Sequence, residues 1–198
     1  MPEQNETVIR PKLHHVSLKT TRLQEMVDWY ALVIGAEVVY QSAIGAFITN
    51  DEANHRVGLV SPPLTDDPEK LAHTGMHHTG FEFDTVDDLL ATYVRLKAEG
   101  IEPHLAMDHG ITTSLYYVDP DGNSVELQVD NFGDWQKSTA FMRSSPRFDE
   151  GPLGEFFDPE EMLKARRAGT SQEELHRRAY AGEWRVDYDM RMPMPPSE

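Results

Sequence analysis

Cysteine is absent from all 198 residues, which excludes disulfides and thiolate metal sites and leaves nine histidines and the carboxylates as candidate metal ligands. No run approaches the ~20 apolar residues of a membrane-spanning helix. The opening MPEQNETVIRPK also lacks the basic-then-apolar order of a secretory signal, so a cytoplasmic protein without a membrane partner is expected. Basic side chains are scarce: 18 Lys+Arg against 34 Asp+Glu give a formal charge of −16, the wrong sign for gripping a phosphate backbone. The imbalance is concentrated before residue 131, because residues 131–198 carry 10 basic and 13 acidic side chains. The plain reading of that acidity is solubility.

What is present is an internal repeat. Leu13-His14-His15-Val16-Ser17-Leu18 matches Met76-His77-His78-Thr79-Gly80-Phe81, and a helix start follows each block, Thr21 with Gln24 and Thr85 with Asp88 at near capping-box spacing. The first helix carries Leu23, Met26, Val27 and Tyr30 and stops at Gly35; the second carries Val86, Leu89, Leu90 and Tyr93 and stops at Gly100. Strand signals then cover 38–40, 46–49 and 56–60 in one half and 101–105, 113–118 and 124–129 in the other, with Asp119-Pro120-Asp121-Gly122-Asn123 as a tight turn.

The expected class is therefore α+β: two βαβββ modules forming an open-barrel cavity, followed by a helical and irregular extension. The boundaries read as an N-terminal arm over 1–12, a first module over 13–60, a connector over 61–75, a second module over 76–130 and the extension over 131–198. In the extension, Asp158-Pro159 and Ser171 open helices that Gly169 and Gly182 close. It is expected to pack on the modules or on a second subunit and to do no chemistry. Trp29, Trp135 and Trp184 are expected as packing anchors.

Strand alternation selects the chemistry. His15 shares a face with Leu13 and Ser17, whereas His14 shares one with Val16 and Leu18; His78 lies with Gly80 and Glu82, and His77 with Phe81 and Phe83. If the apolar faces pack on the helices, His15 and His78 look into the cavity. Glu126 joins them, opposite the apolar face of Val125, Leu127 and Val129. Two imidazoles and one carboxylate suit a facial site with open positions on Fe(II), and Mn(II) would accept the same ligands. His14, His73, His77, His104 and His176 are expected to stay off the metal: His14 and His77 on the packing face, His73 in the connector, His104 on an exposed strand, His176 on a tail helix.

Leu-His-His-Val, Met-His-His-Thr-Gly-Phe-Glu-Phe and Tyr-Tyr-Val-Asp-Pro-Asp-Gly-Asn-Ser-Val-Glu-Leu resemble the vicinal oxygen chelate superfamily, and within it the type I extradiol dioxygenases, over residues 13 to about 130. The resemblance implies ring cleavage of a catechol by O₂ at the metal. It implies that His55 is an acid–base histidine standing near the metal without binding it, that Tyr116 hydrogen-bonds a substrate oxygen, and that His109 supports that site from behind. Aligning the modules places Gly58 opposite Glu126, where glyoxalase-type isomerases carry a fourth ligand. The competing readings are such an isomerase or lyase, and a ligand-sequestering relative of the bleomycin-resistance proteins. One pair of modules leaves the tail or a neighbouring subunit to close the pocket, and a homo-oligomer is expected.

Overall fold

The computed structural model describes residues 10–65, 70 and 74–188. β1 (Val16–Lys19) leads through α1 (Leu23–Ile34) to β2 (Glu37–Ser42), β3 (Gly45–Thr49) and β4 (Val57–Val60), in the spatial order β1-β4-β3-β2. The second half repeats this with β5 (His78–Phe83), α2 (Val86–Ala98), β6 (Leu105–Asp108), β7 (Thr112–Val118) and β8 (Ser124–Asp130), ordered β5-β8-β7-β6. In each sheet the first strand runs parallel to the last and the other pairs are antiparallel. The fold is α+β, as expected, with two mixed sheets and no closed barrel.

Met26, Val27, Tyr30 and Val33 on α1, and Val86, Leu89, Leu90, Tyr93 and Leu96 on α2, recur at helical spacing and are buried against Leu18, Ile48, Leu59, Leu115 and Leu127 in one core. α2 starts as read: Thr85 Oγ1 accepts the Asp88 N–H at 3.1 Å. α1 does not use Thr21 as its cap; Arg22 holds the N-cap position, and Thr20 Oγ1 accepts the Arg22 N–H at 2.8 Å in a local side-chain turn. The Asp119–Asn123 turn forms between β7 and β8, with Asp119 Oδ1 accepting the N–H groups of Asp121 and Asn123. That turn also ties the halves together. Tyr30 donates to Asp119 Oδ2 at 3.2 Å and Arg22 pairs with Asp121 at 3.0 Å.

Three strand starts differ from the sequence reading, the first for a hydrogen-bonding reason. The strand expected over 101–105 begins only at Leu105, because the Ile101 N–H is used by the end of α2, donating to the Leu96 carbonyl at 2.9 Å. The regular strands also begin later than the histidine pairs suggest, at Val16 and at His78.

The extension forms α3 (Trp135–Ser144), α4 (Pro146–Glu150), β9 (Glu155–Phe156), α5 (Pro159–Arg167) and α6 (Gln172–Tyr180). Asp158 and Ser171 cap α5 and α6, and Gly169 and Gly182 follow them at φ +95° and +77°. β9 was not foreseen. It pairs with β6 (Met107↔Phe156, Asp108↔Glu155) and makes a fifth strand of the second sheet. Phe157, Met162, Leu163, Leu175 and Trp184 enter the common core, so the tail packs on the modules. Trp29 also packs against that core, but Trp135 is 70% exposed and donates Nε1–H to Glu82 at 3.0 Å, which corrects its reading as a packing anchor. His73, the final Met-Pro-rich residues from 189 and the arm up to residue 9 lie outside the described residues.

Candidate active site

Glu126 sits mid-strand in β8, 6% exposed, with Gly80 beside it on β5. A Cβ at Gly80 would stand 3.2 Å from Glu126 Oε2, so the missing side chain leaves the carboxylate room. His78 Nε2 lies 3.1 Å from Oε2. Across the β7–β8 ladder, where Tyr116 is the rung partner of Glu126, the Tyr116 hydroxyl donates to Oε1 at 2.7 Å. His109 Nε2 then lies 2.8 Å from the Tyr116 oxygen and 3.8 Å from Glu126 Oε1. Four of the six expected residues thus form one continuous cluster on the second sheet.

The electrostatics follow from that packing. Burial works against the Glu126 charge, but the hydrogen bonds from His78, Tyr116 and Ser114 outweigh it and hold the carboxyl below its ordinary range. Burial and the neighbouring Glu126 charge push the Tyr116 hydroxyl well up, so it stays a protonated donor.

The other two residues gather on the first sheet. His55 stands just before β4, as expected, with its ring 4.4 Å from that of His15 and 4.9 Å from that of Phe47. Its Nδ1 is 2.7 Å from Asn54 Oδ1; with the amide oxygen accepting, Nδ1 carries the hydrogen and Nε2 is left as the basic atom. Desolvation, then the His15 and His14 charges, lower its pKa. Among the described residues, His14, His15 and His55 are the trio whose ligand atoms all fall within 4.8 Å of one another. His15, His78 and Glu126 do not converge that closely.

His14 therefore corrects the parity argument. It is exposed, with Nδ1 3.1 Å from His15 Nδ1 and its ring 5.1 Å from His55, not on the packing face. His77 likewise is exposed, with Nδ1 2.7 Å from His78 Nδ1. Both precede their strands' regular pairing, and alternation constrains only residues inside a paired strand. His104 is a third correction. It is half-buried rather than exposed, its nitrogens have no partner among the described residues, and burial followed by His77 pushes its pKa down to about 4. His176 is on a tail helix as read, half-buried against the fully buried Asp108.

Sequence reasoning missed Phe47 as a wall of the His55 site. Alternation within β3 could have found it, since Ala46 and Ile48 are buried while Phe47 faces Gly58. The register equates the modules as aligned: Gly58 pairs with Ser17 as Glu126 pairs with Gly80. No side-chain ligand is available at Gly58.

The donor types at His78 and Glu126 fit a divalent non-haem metal: an imidazole, one buried carboxylate already paired with it, and a glycine that clears space beside it.

Residues 12–127 match the model of the Glyoxalase/Bleomycin resistance protein/Dioxygenase superfamily. The chain belongs to this superfamily. Among relatives in it, the chain is 46% identical over 177 residues to biphenyl-2,3-diol 1,2-dioxygenase 2 of Rhodococcus globerulus, an alignment covering 89% of this chain and 93% of that protein. It is 44% identical to biphenyl-2,3-diol 1,2-dioxygenase 3 of the same organism, over 87% of this chain and 91% of the other. The fold matches the crystal structure of a superfamily domain from Frankia at a TM-score of 0.52, with 17% identity, over 62% of this chain and 93% of that one. The superfamily match ends at 127, whereas an alignment spanning nine-tenths of the chain takes in most of the extension.

Proposed function

We propose that the protein is an extradiol dioxygenase that cleaves the ring of a catecholic aromatic substrate with O₂, holding Fe(II) through His15, His78 and Glu126. The observation that carries this reading is the buried Glu126 carboxylate, paired with His78 through one oxygen and with Tyr116 through the other, in a chain related over nine-tenths of its length to biphenyldiol dioxygenases. The metal, when bound, would supply the path by which electrons of the deprotonated catechol reach O₂.

The remaining roles belong to the chain's own residues. His55 takes a catechol hydroxyl proton at Nε2 and returns it later, a task suited to an imidazole kept neutral by a lowered pKa. Tyr116 donates to negative charge developing on substrate oxygen, and His109 holds that hydroxyl in place. Phe47 offers an apolar wall beside His55 for the aromatic ring. The open Gly58 position favours a metal with vacant positions over a glyoxalase-type site with four protein ligands. Fe(II) rather than Mn(II), a cytoplasmic location and a homo-oligomeric state belong to the same proposal, as does the division at residues 12, 60, 75 and 130.

Anaerobic loading with Fe(II), followed by a panel of catechols including biphenyl-2,3-diol, tests it. A yellow ring-fission product with matching O₂ uptake is expected. Isomerase activity with Ni(II) or Zn(II) and no O₂ consumption would overturn it.

A further inference from the structure

His109 is held from behind by the extension. Its Nδ1 lies 2.6 Å from the carbonyl oxygen of Leu153, 44 residues later. A carbonyl can only accept, so Nδ1 carries the hydrogen, and Nε2 offers its lone pair to the Tyr116 hydroxyl, whose single hydrogen it shares with Glu126 Oε1. The residues on either side of His109 are fixed by the same segment. Asp108, fully buried, receives His176 Nδ1 at 2.9 Å, the Thr113 hydroxyl at 3.1 Å and the Gly110 N–H at 2.8 Å. Gly110, at φ +84°, lies under Tyr180 and Phe141, where a Cβ would come within 2.9 Å of the Tyr180 ring. Gly154, at φ +91°, lies so close to the Asp108 backbone that a Cβ would overlap its carbonyl oxygen. β9 then pairs Asp108 with Glu155.

We infer that the C-terminal extension is a working part of the active site: the Leu153 carbonyl and His176, acting through Asp108, are positioning groups that fix His109 against Tyr116. Nothing in a merely supportive tail requires it to converge on the two residues flanking His109 and on the ring nitrogen itself. Without His176, Asp108 keeps the Gly110, Thr113 and Asn131 donors but loses its one hydrogen bond from the helices of the extension, which loosens the corner. The inference rests on the dioxygenase reading for its kinetic consequence and on geometry alone for the contact.

The test uses the full chain with metal bound and takes Gly154→Ala and His176→Phe, each alone and combined with His109→Ala. His176→Phe keeps a ring stacked on Tyr180 while deleting the nitrogen. Each single variant is expected to lower kcat about tenfold with metal content and KM little changed, and the penalty should vanish in the His109→Ala background. Equal penalties in both backgrounds would reduce the extension to general support and overturn the inference. Imidazole ¹⁵N spectra of the unaltered protein, with His109→Ala supplying the assignment, read the contact without any activity. A protonated, slowly exchanging Nδ1 on His109 is expected, and an unprotonated Nδ1 overturns the inference even if both variants fail to fold. Failure of the dioxygenase reading would instead show as no ring cleavage by the unaltered protein.

Discussion

Tyr116 and Glu126 face each other across one rung of the β7–β8 ladder, and the phenol donates to the carboxylate at 2.7 Å. The phenol has one hydrogen, so in the proposed mechanism it turns from Glu126 to donate to substrate. Tyr116→Phe should therefore retain metal but lower kcat by roughly 10²-fold, the usual effect of losing one oriented donor. Metal analysis alongside steady-state kinetics checks it; an unimpaired Tyr116→Phe enzyme would remove the phenol from the mechanism.

His14 Nδ1 lies 3.1 Å from His15 Nδ1, so the competing trio of His14, His15 and His55 needs its own test. Glu126→Ala and His78→Ala should abolish metal retention, whereas His14→Ala should leave it intact. Metal content after gel filtration decides. Retention by Glu126→Ala together with loss in His14→Ala would move the site to the first sheet.

His55→Phe fills similar space beside His15 and Phe47 but cannot accept a proton. Bound metal should be unchanged while turnover falls by about 10²–10⁴-fold, the range for a missing acid–base group. Full activity of this variant at neutral pH would contradict the role.

His104 gives a prediction about stability. Its folded pKa of about 4 lies below the ordinary value of 6.5, so between those pH values the unfolded chain binds the extra proton. Stability from this group is complete above pH 6.5 and is lost as pH falls toward 4, by at most ~1.4 kcal/mol per pH unit. Denaturant titrations from pH 7 to 4 should show a smaller acid loss in His104→Phe than in the unaltered chain. Parallel losses would show that the imidazole titrates normally.

Truncation after Asn131 should do more than open the pocket. It removes Phe157 and Met162 from the core, each fully buried, and burial of such side chains contributes on the order of 2–5 kcal/mol apiece. Thermal melts should show loss of cooperative folding, not a folded protein with altered oligomer size.

Much of this architecture is legible in local sequence. The repeat, the Thr85, Asp158 and Ser171 caps, the glycine stops and the Asp119–Asn123 turn depend on interactions within a few residues, and each formed where expected. Alternation also placed Glu126 opposite the apolar face of β8, because that strand is paired along its whole length. The same rule failed at His14 and His77, where the ladder has not begun, and the strand signal failed at Ile101, whose N–H belongs to the end of α2.

The sequence by itself determined the repeated modules and the absence of a side chain at Gly58, and it nominated His15, His78 and Glu126, since composition, periodicity and glycine are local properties. Only the tertiary structure decided that Tyr116 meets Glu126 and His109, that the His104 ring nitrogens are shut off from solvent, and that Leu153 and His176 close on the His109 corner. The latter two contacts join residues 44 and 68 positions apart, and hydrogen bonds across such distances leave no periodic trace in the chain.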